Sequence, residues 1–229
     1  MKPITTQPVY VLIPAGGAGA RFGGIVKKQF LTIGGLSLLD HCLAVFDAHN
    51  RVNKIVVALP EDELTAREDF VFRKVVRVAG GNSRAESVKK AFETLGELPD
   101  DAIILVHDAV RPLLSKGLID RVIAGVEEYG AALPVVALSD TIKRVAGGRV
   151  IETVDRDLLR AAQTPQGGRF GIFCQAYERC HGELTRITDE AMLFESVGQA
   201  VMTVEGERCN IKVTTPFDLE LAEILTRPL

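Results

Sequence analysis

One stretch constrains this chain more than any other: an apolar run followed at once by a glycine-rich loop, residues 9–30, VYVLIPAGGAGARFGGIVKKQF. The run Val9–Ile13 is typical of a buried parallel strand, and Pro14 ends it because proline has no N–H for a sheet ladder. The small residues at 15–19 let backbone N–H groups approach a ligand closely and form an anion cradle. Three cations follow: Arg21, Lys27 and Lys28. Together they predict a polyphosphate site.

Two commoner glycine loops do not fit this stretch. The dinucleotide fingerprint G-x-G-x-x-G fits Gly17 and Gly19, but its third glycine falls on Phe22. The Walker loop ends in G-K-[ST], a triplet that the sequence does not contain. A third kind of strand-to-loop phosphate site therefore remains, and its plain alternative is an ordinary glycine-rich turn between a strand and a helix.

Composition narrows the class of protein. With 229 residues, the chain is long enough for one sizeable core, and its net charge of −3 disfavours a non-specific nucleic-acid binder. Its four cysteines form no C-x-x-C pair or zinc spacing, so we expect reduced thiols and a cytoplasmic protein. No apolar run approaches the ~18 residues of a membrane span, and the polar Met1–Pro8 segment predicts no signal peptide.

The rest of the first half alternates between strand-like and helix-like segments. Predicted strands are 30–33, 54–59, 75–79, 102–107 and 131–138. Predicted helices are 38–49, 61–72, 83–95 and 118–129. Ser37 is placed to cap the first helix, and Ser83 with Glu86 has the spacing of a capping box. This alternation predicts βαβ units and a mostly parallel sheet flanked by helices, in a single α/β domain spanning residues 1–229.

The alternation stops at Ser139. Residues 141–145 and 150–154 alternate polar with apolar side chains around Gly147-Gly148, which predicts an inserted hairpin at about 139–157. Because an isolated two-stranded hairpin is marginally stable in water, we expect it to dock, and a partner subunit is a good candidate.

The remaining segments complete the predicted domain. We expect helices at 169–181 and 188–197, the second capped by Thr188, and a C-terminal helix from Pro216 to about Thr226. Residues 200–204 predict a last buried strand.

Three loops should meet at one edge of the sheet. The glycine-rich loop follows the strand 9–13, residues 80–83 follow the strand 75–79, and His107-Asp108-Ala109 comes at the end of the strand 102–107. Ligands bind at the carboxyl ends of such strands, so these loops predict one crevice. Asp108 could orient Mg²⁺ or a ribose hydroxyl, or it could simply cap the following turn. His107 is expected to be structural, since a lone histidine at a strand end seldom acts alone.

A series of motifs, in order, then resembles a known family. The motifs are PAGGAGAR, KKQF, GGNSRAESV, LVHDAVRP, DTIKR, TVDR, QTPQ, ITDEA and NIKVTTPFDLELAE. They resemble the 2-C-methyl-D-erythritol 4-phosphate cytidylyltransferases over nearly the whole chain. The resemblance implies a Rossmann-like nucleotidyltransferase fold and transfer of a cytidylyl group from CTP to methylerythritol phosphate, in the non-mevalonate isoprenoid pathway. It also implies Mg²⁺ held mainly by the CTP phosphates, and a homodimer formed through the hairpin arm.

The resemblance assigns roles to residues of this chain. The implied catalytic residues are Arg21 and Lys28. The implied CTP contacts are Pro14, Ala15, Gly16, Gly17, Ala18, Gly19, Gly81, Asn82, Ser87, Asp108 and Ala109. The implied acceptor contacts are Asp108, Arg111, Thr141, Arg156, Thr164, Thr188 and Lys212. No histidine is needed, because a phosphate is already a nucleophile near neutral pH.

The chain departs from the family pattern at several positions. Gly16 stands where the family commonly has a second alanine, Phe22 stands for a methionine, and Lys27 for a proline. Lys28 keeps the K-Q-[FY] register and is therefore the predicted catalytic lysine. Cys209 replaces an acidic residue that often precedes N-I-K, which leaves open any acceptor contact made by that acid.

Three other functions stay open at this point. The nearest is a cytidylyltransferase for a pentitol phosphate such as ribitol 5-phosphate, which would share the loop and differ in the acceptor pocket. An inactive nucleotide-binding regulatory protein is disfavoured by the presence of Arg21 and Lys28. An oxidoreductase is disfavoured by Phe22 at the third fingerprint position.

Overall fold

In the computed structural model, residues 7–16, 26–66, 72–180 and 184–226 are described. Within those ranges the strands are β1 Val9–Pro14, β2 Thr32–Ile33, β3 Leu36–Ser37, β4 Val52–Leu59, β5 Val75–Ala79, β6 Ile103–Val106, β7 Ala131–Ala137, β8 Ile142–Ala146, β9 Arg149–Val154, β10 Arg160–Ala162, β11 Gln166–Arg169 and β12 Met202–Glu205. The α-helices are α1 Leu38–Asp47, α2 Glu61–Ala66, α3 Arg84–Glu93, α4 Lys116–Tyr129, α5 Phe170–Arg179, α6 Glu190–Glu195 and α7 Pro216–Thr226.

Eight strands of the described ranges form one sheet in the order β10-β7-β11-β6-β1-β4-β5, with β12 paired to β7. Strands β6, β1, β4 and β5 run parallel, whereas β11 is antiparallel to both β6 and β7. The chain runs outward from β1 through β4 to β5 and then returns to place β6 on the other side of β1. The strand order therefore reverses between β1 and β6, which is where such sheets bind ligands. The predicted mostly parallel sheet is confirmed.

The continuous apolar runs of β1 and β6 follow from burial on both faces of the sheet. Val11 and Ile13 of β1 pack in one core layer together with side chains of α1 and α4. Leu12 points to the opposite layer, which contains Phe92 of α3 and Phe173 of α5. Helices thus cover both faces, as parallel strands require.

Serine residues cap the helices that lead into and away from the sheet. The side chain of Ser37 accepts a hydrogen bond from Asp40 N, and that of Ser83 accepts one from Glu86 N, so both predicted caps are confirmed. The carboxylate of Glu86 accepts from Asn82 N, one residue earlier than a standard capping box would have it.

Two local predictions are wrong. The cap of α6 is Asp189 rather than Thr188, because the Asp189 carboxylate accepts the Met192 N–H at 3.0 Å. Strand β12 is not buried: it has β7 as its partner at the margin of the sheet, and Met202 is 38% exposed. The predicted helix 61–72 is described as far as Ala66, and residues 67–71 lie outside the described ranges.

The predicted hairpin is present as strands β8 and β9, a two-stranded antiparallel sheet separate from the main one. Its turn residues Gly147 and Gly148 have φ values of 55° and 75°, the left-handed conformation that a tight hairpin turn demands. Val145, Val150 and Ile151 are 55%, 61% and 59% exposed. The hairpin therefore presents apolar side chains to solvent in the isolated chain.

None of the helices in the described part of the chain is both long and apolar enough to span a membrane.

Candidate active site

The glycine-rich loop begins in a fixed position at the carboxyl end of β1. Ala15 N donates to Ala58 O at 2.8 Å, and the buried Gln29 side chain donates to Ala15 O at 2.5 Å. A Cβ on Gly16 would lie 3.1 Å from Ser87 Oγ and 3.6 Å from Gly80 Cα. The start of this loop therefore packs against the segment after β5, as the strand order predicts. The predicted site residues Gly17, Ala18, Gly19 and Arg21 lie outside the described residues.

The segment after β5 is held by one serine. Ser87 Oγ accepts from Gly81 N at 3.0 Å and donates to Ser83 O at 2.9 Å. A Cβ on Gly81 would lie 2.3 Å from the Glu86 Cβ, so no residue larger than glycine fits there without a shift of the helix. Ser87 thus acts through the backbone of Gly81, and Gly80 and Gly81 lie beside Gly16 in the loop that follows β1.

The two adjacent lysines have different surroundings. Lys27 Nζ lies 2.6 Å from Asp62 Oδ1 and 3.6 Å from Glu63 Oε1, both at the start of α2. Lys28 begins the 3-10 turn Lys28–Phe30, which the buried side chains of Gln29 and Phe30 anchor. Lys27 is therefore engaged by α2, and the turn fixes the backbone of Lys28 beside the loop after β1.

Asp108 follows β6 and is surrounded by cations. Its Oδ1 lies 2.9 Å from Arg84 Nε, and its Oδ2 lies 2.8 Å from Lys212 Nζ and 3.7 Å from Arg111 Nε. Burial alone would raise the pKa of this carboxyl, but the three cations outweigh burial and hold the pKa well below its usual range. Asp108 is therefore a carboxylate at every physiological pH.

Arg84 and Glu190 join this cluster, and neither was predicted as a site residue. The two terminal nitrogens of Arg84 lie 2.9 Å from Glu190 Oε1 and Oε2, a bidentate pair. One signal could have identified Arg84: a cation in the first turn of a helix opposes the macrodipole, which calls for a compensating anion. No comparable local signal marks Glu190, whose partner lies 106 residues away.

A second layer of hydrogen bonds supports Asp108. Thr164 Oγ1 accepts from Asp108 N at 3.1 Å and lies 3.0 Å from His107 Nδ1, while His107 Nε2 lies 3.1 Å from Arg111 O. Because a carbonyl only accepts, Nε2 carries the hydrogen and Nδ1 accepts from the threonine hydroxyl. Thr164 is thus a support in this structure. His107 is buried, and burial lowers its pKa to about 4, which agrees with the structural role expected for it.

The loop before α7 is tied to the same layer. Asn210 is fully buried, and its side-chain Nδ2 donates to Thr164 O at 2.8 Å. The backbone carbonyl of Asn210 accepts from a terminal nitrogen of Arg111 at 2.8 Å. These bonds place Lys212 two residues further on, beside Asp108. Cys209 is exposed and is a free thiol.

Three predicted acceptor residues have no contact with the Asp108 cluster among the described hydrogen bonds and ion pairs of this chain. Arg156 donates to Ser139 O at the base of the hairpin at 2.5 Å, and Thr141 lies immediately before β8. Thr188 is exposed and lies two residues before Glu190 in the sequence, and its hydroxyl contacts Met192. The structure brings Asp108, Arg111, Thr164 and Lys212 together, and their roles towards an acceptor stay a prediction.

The described side chains offer little to a metal ion by themselves. They contain no group of three or more His, Cys, Asp or Glu that could hold one, and both oxygens of Asp108 face cations. A divalent ion at this site would need a ligand's phosphates as its main donors, which is a common arrangement for Mg²⁺.

The family model described as 2-C-methyl-D-erythritol 4-phosphate cytidylyltransferase matches residues 9–227. The chain belongs to this family. A cytidylyltransferase of this name from Syntrophotalea carbinolica is 43% identical over 221 residues, which cover 94% of this chain and 94% of that protein. The cytidylyltransferase of Thermus thermophilus has a TM-score of 0.81 at 35% identity, covering 97% of this chain and 100% of that one. That of Francisella tularensis has a TM-score of 0.84 at 32% identity, covering 95% and 99%.

Membership in the cytidylyltransferase family confirms two predictions, the Rossmann-like nucleotidyltransferase fold and enzymatic activity. Family members are nucleotidyltransferases that act on CTP and 2-C-methyl-D-erythritol 4-phosphate and depend on a divalent metal ion.

The burial of His107 predicts how the free energy of unfolding depends on pH. Its pKa is about 4 in the folded protein and 6.5 in a model peptide, so between these values the unfolded chain binds the extra proton. The His107 contribution is complete above pH 6.5 and is lost as the pH falls towards 4. We expect the free energy of unfolding to drop by about 2 kcal/mol from this group between pH 7 and pH 5, measured by urea denaturation.

The variant His107→Asn tests whether His107 causes this pH dependence of the free energy of unfolding. Burial also lowers the pKa of His49, so wild-type protein retains a slope of the same sign from that residue. The variant should show a shallower decline than the wild type over this range, whatever its stability at pH 7. Equal slopes would show that His107 gains its proton in the folded state near its ordinary pKa.

Proposed function

We propose that this chain transfers the cytidylyl group of CTP to 2-C-methyl-D-erythritol 4-phosphate, giving 4-diphosphocytidyl-2-C-methyl-D-erythritol and pyrophosphate. One observation supports this most directly. The start of the glycine-rich loop and the segment at Gly80-Gly81 are in contact, and the cluster around Asp108 follows β6, across the switch point from β1. Family membership supplies the substrates.

The nucleotide side of the proposed site consists mainly of backbone. Pro14 to Gly19 would hold the triphosphate, and Gly81, Asn82 and Ser87 would bind the cytidine. Asp108 and Ala109 would border the ribose. Glycine at 81 lets this segment pack closely on Glu86 in the first turn of α3, because a Cβ there would lie 2.3 Å from the Glu86 Cβ.

The acceptor side carries the positive charge. Among the described cluster residues, the three cations Arg84, Arg111 and Lys212 face two carboxylates, Asp108 and Glu190, which leaves one excess positive charge. Arg111, Lys212 and Thr188 of one chain, with Thr141 and Arg156, would surround the acceptor phosphate, and Thr164 would support this site through the backbone of Asp108. Excess positive charge suits a site where two phosphate groups must approach each other.

The chemistry needs no general base from the protein. An oxygen of the acceptor phosphate attacks the α-phosphorus of CTP, the bond to the β-phosphate oxygen breaks, and pyrophosphate leaves in line. Arg21 and Lys28 would stabilise the negative charge that builds on the transferred phosphoryl group. Arg111 and Lys212 would hold the attacking phosphate in line. Mg²⁺, bound through the CTP phosphates, would neutralise part of the triphosphate charge.

The direct test is pyrophosphate release by the purified protein with Mg²⁺. We expect release with CTP and 2-C-methyl-D-erythritol 4-phosphate, and much less with ATP, GTP or UTP. Ribitol 5-phosphate is the matched acceptor, since Cys209 changes a position where the family often has an acid. Faster pyrophosphate release with ribitol 5-phosphate would assign the enzyme to the pentitol phosphate cytidylyltransferases. Equal turnover with ATP would contradict the proposed binding of cytidine at Gly81, Asn82 and Ser87.

The adjacent lysines give a matched pair of variants. Lys28→Ala should lower turnover at least ~100-fold, the scale for removing one preorganised donor to the transition state. Lys27→Ala removes an ion pair with α2 and should lower turnover far less. Both variants should keep the wild-type circular dichroism spectrum. A larger loss in Lys27→Ala would show that the catalytic register is shifted by one residue.

The hairpin supports a site shared between two chains of a homodimer. Its exposed apolar residues need a cover, and Arg156, at the base of the hairpin, contacts Ser139 rather than the Asp108 cluster of its own chain. Docking on a two-fold partner would carry Arg156 and Thr141 to the partner's crevice, while Lys28 acts in the crevice of its own chain.

A cytoplasmic location stays a prediction from the four cysteines, all of them free thiols.

Mixed dimers test this sharing. Arg156→Ala and Lys28→Ala homodimers should each be nearly inactive. Unfolded and refolded together, half of their dimers should be hybrids with one intact site, so activity should return to roughly a quarter of wild type. Wild-type protein taken through the same procedure is the control. If it recovers while the mixture stays inactive, Arg156 does not act across the dimer.

A further inference from the structure

We propose that Arg84 is a positioning residue for the acceptor: it fixes the carboxylate of Asp108 so that Lys212 is held ready for the acceptor phosphate. This inference rests on the proposed function and concerns the same site. It assigns a role to a side chain that faces other protein groups rather than the reacting atoms.

The guanidinium of Arg84 joins three parts of the chain. Its Nε donates to Asp108 Oδ1 after β6, and its two terminal nitrogens donate to the Glu190 carboxylate in α6, all at 2.9 Å. Arg84 itself is the first residue of α3 and follows the proposed cytidine segment directly. A lysine could not make all three bonds, because its ammonium lacks the planar fork of a guanidinium.

This arrangement leaves Asp108 little freedom. Arg84 occupies Oδ1, the backbone N–H of Asp108 donates to Thr164 Oγ1, and Oδ2 is then directed at Lys212 Nζ at 2.8 Å. An ammonium has three donors, and Asp108 accepts one of them. The Lys212 side chain is 42% exposed, so its other donors can reach a ligand in the crevice.

An ion pair that served only stability would be energetically unfavourable at the position of Arg84. A cation in the first turn of α3 opposes the helix macrodipole, and burying it costs desolvation energy. Asp108 already has Lys212 and Arg111 as partners. What Arg84 adds is direction, since without it the Asp108 carboxylate could turn both oxygens towards the two remaining cations and draw Lys212 inward.

The test must separate positioning from folding. Arg84→Met alone would leave Glu190 buried without its partner, which is costly. The paired variant Arg84→Met/Glu190→Gln removes both charges together and should fold. Lys89→Met is the matched control, because it removes a cation from α3 at an exposed pair with Glu93. Thermal unfolding of each variant is recorded first.

Binding is then measured by calorimetry, with 2-C-methyl-D-erythritol 4-phosphate titrated into protein saturated with Mg²⁺ and α,β-methylene CTP. We expect the paired variant to bind the acceptor about 10-fold more weakly or worse, the scale of one charge-assisted hydrogen bond. Its affinity for the nucleotide analogue should change by less than ~3-fold, and Lys89→Met should match wild type in both.

Lys212→Met completes the cycle. Because Arg84 is proposed to act through Lys212, adding the paired change to Lys212→Met should cost little further acceptor affinity. A full ~10-fold further loss in that background, or an unchanged acceptor affinity in the paired variant, would overturn the proposal. If the paired variant unfolds, Arg84→Lys, which keeps the charge balance, is measured instead and should show the same selective loss.

Different results would contradict the proposed function and the role of Arg84. Wild-type protein that releases no pyrophosphate with either acceptor phosphate contradicts the reaction itself. An active wild type whose paired variant binds the acceptor normally contradicts only the role of Arg84.

Discussion

The carboxylate of Asp108 is the point on which the rest of the site depends. It is 6% exposed and faces three cations that come from α3, from the turn after β6 and from the loop before α7. A buried anion is tolerated only if its partners are present, so the folded state needs these three segments in one place. The contacts that neutralise the buried Asp108 carboxylate therefore also bring together the three segments that form the crevice.

The sheet provides the framework for that cluster. Strand order reverses between β1 and β6, and the backbone leaves both strands on the same edge. Glycines at 16 and 80 let two loops approach each other more closely than side chains would permit. Beneath them, hydrogen bonds join Thr164 to His107 and to Asp108 N, and Asn210 Nδ2 to Thr164 O, whereas the buried Asn210 Oδ1 has no hydrogen-bond partner among the described residues. The hydrogen bonds that are made restrict Thr164 and the backbone of Asp108 to one arrangement beneath the cluster.

Much of this could be predicted from the residues, for identifiable reasons. Strands β1, β4 and β6 are apolar runs because they are buried on both faces, and serine caps have a local signature at Ser37 and Ser83. The local rules failed where two signals competed: Thr188 and Asp189 are both good caps, and only the chain's path selects the second. Strand β12 is apolar enough to suggest burial, but its place at the sheet margin exposes it. The Arg84–Glu190 pair depends on residues 106 positions apart, which no local pattern reports.

The ion cluster also has a consequence for titration. Neighbouring cations keep Asp108 ionised, two carboxylates raise the pKa of the Arg84 guanidinium above its ordinary value despite burial, and buried His107 stays neutral until about pH 4. These groups thus keep one charge state across the range in which a phosphate monoester takes up its second proton, near pH 6. Between pH 5 and pH 7, Asp108, Arg84 and His107 therefore form a fixed electrostatic background, against which a phosphate ligand changes its own charge.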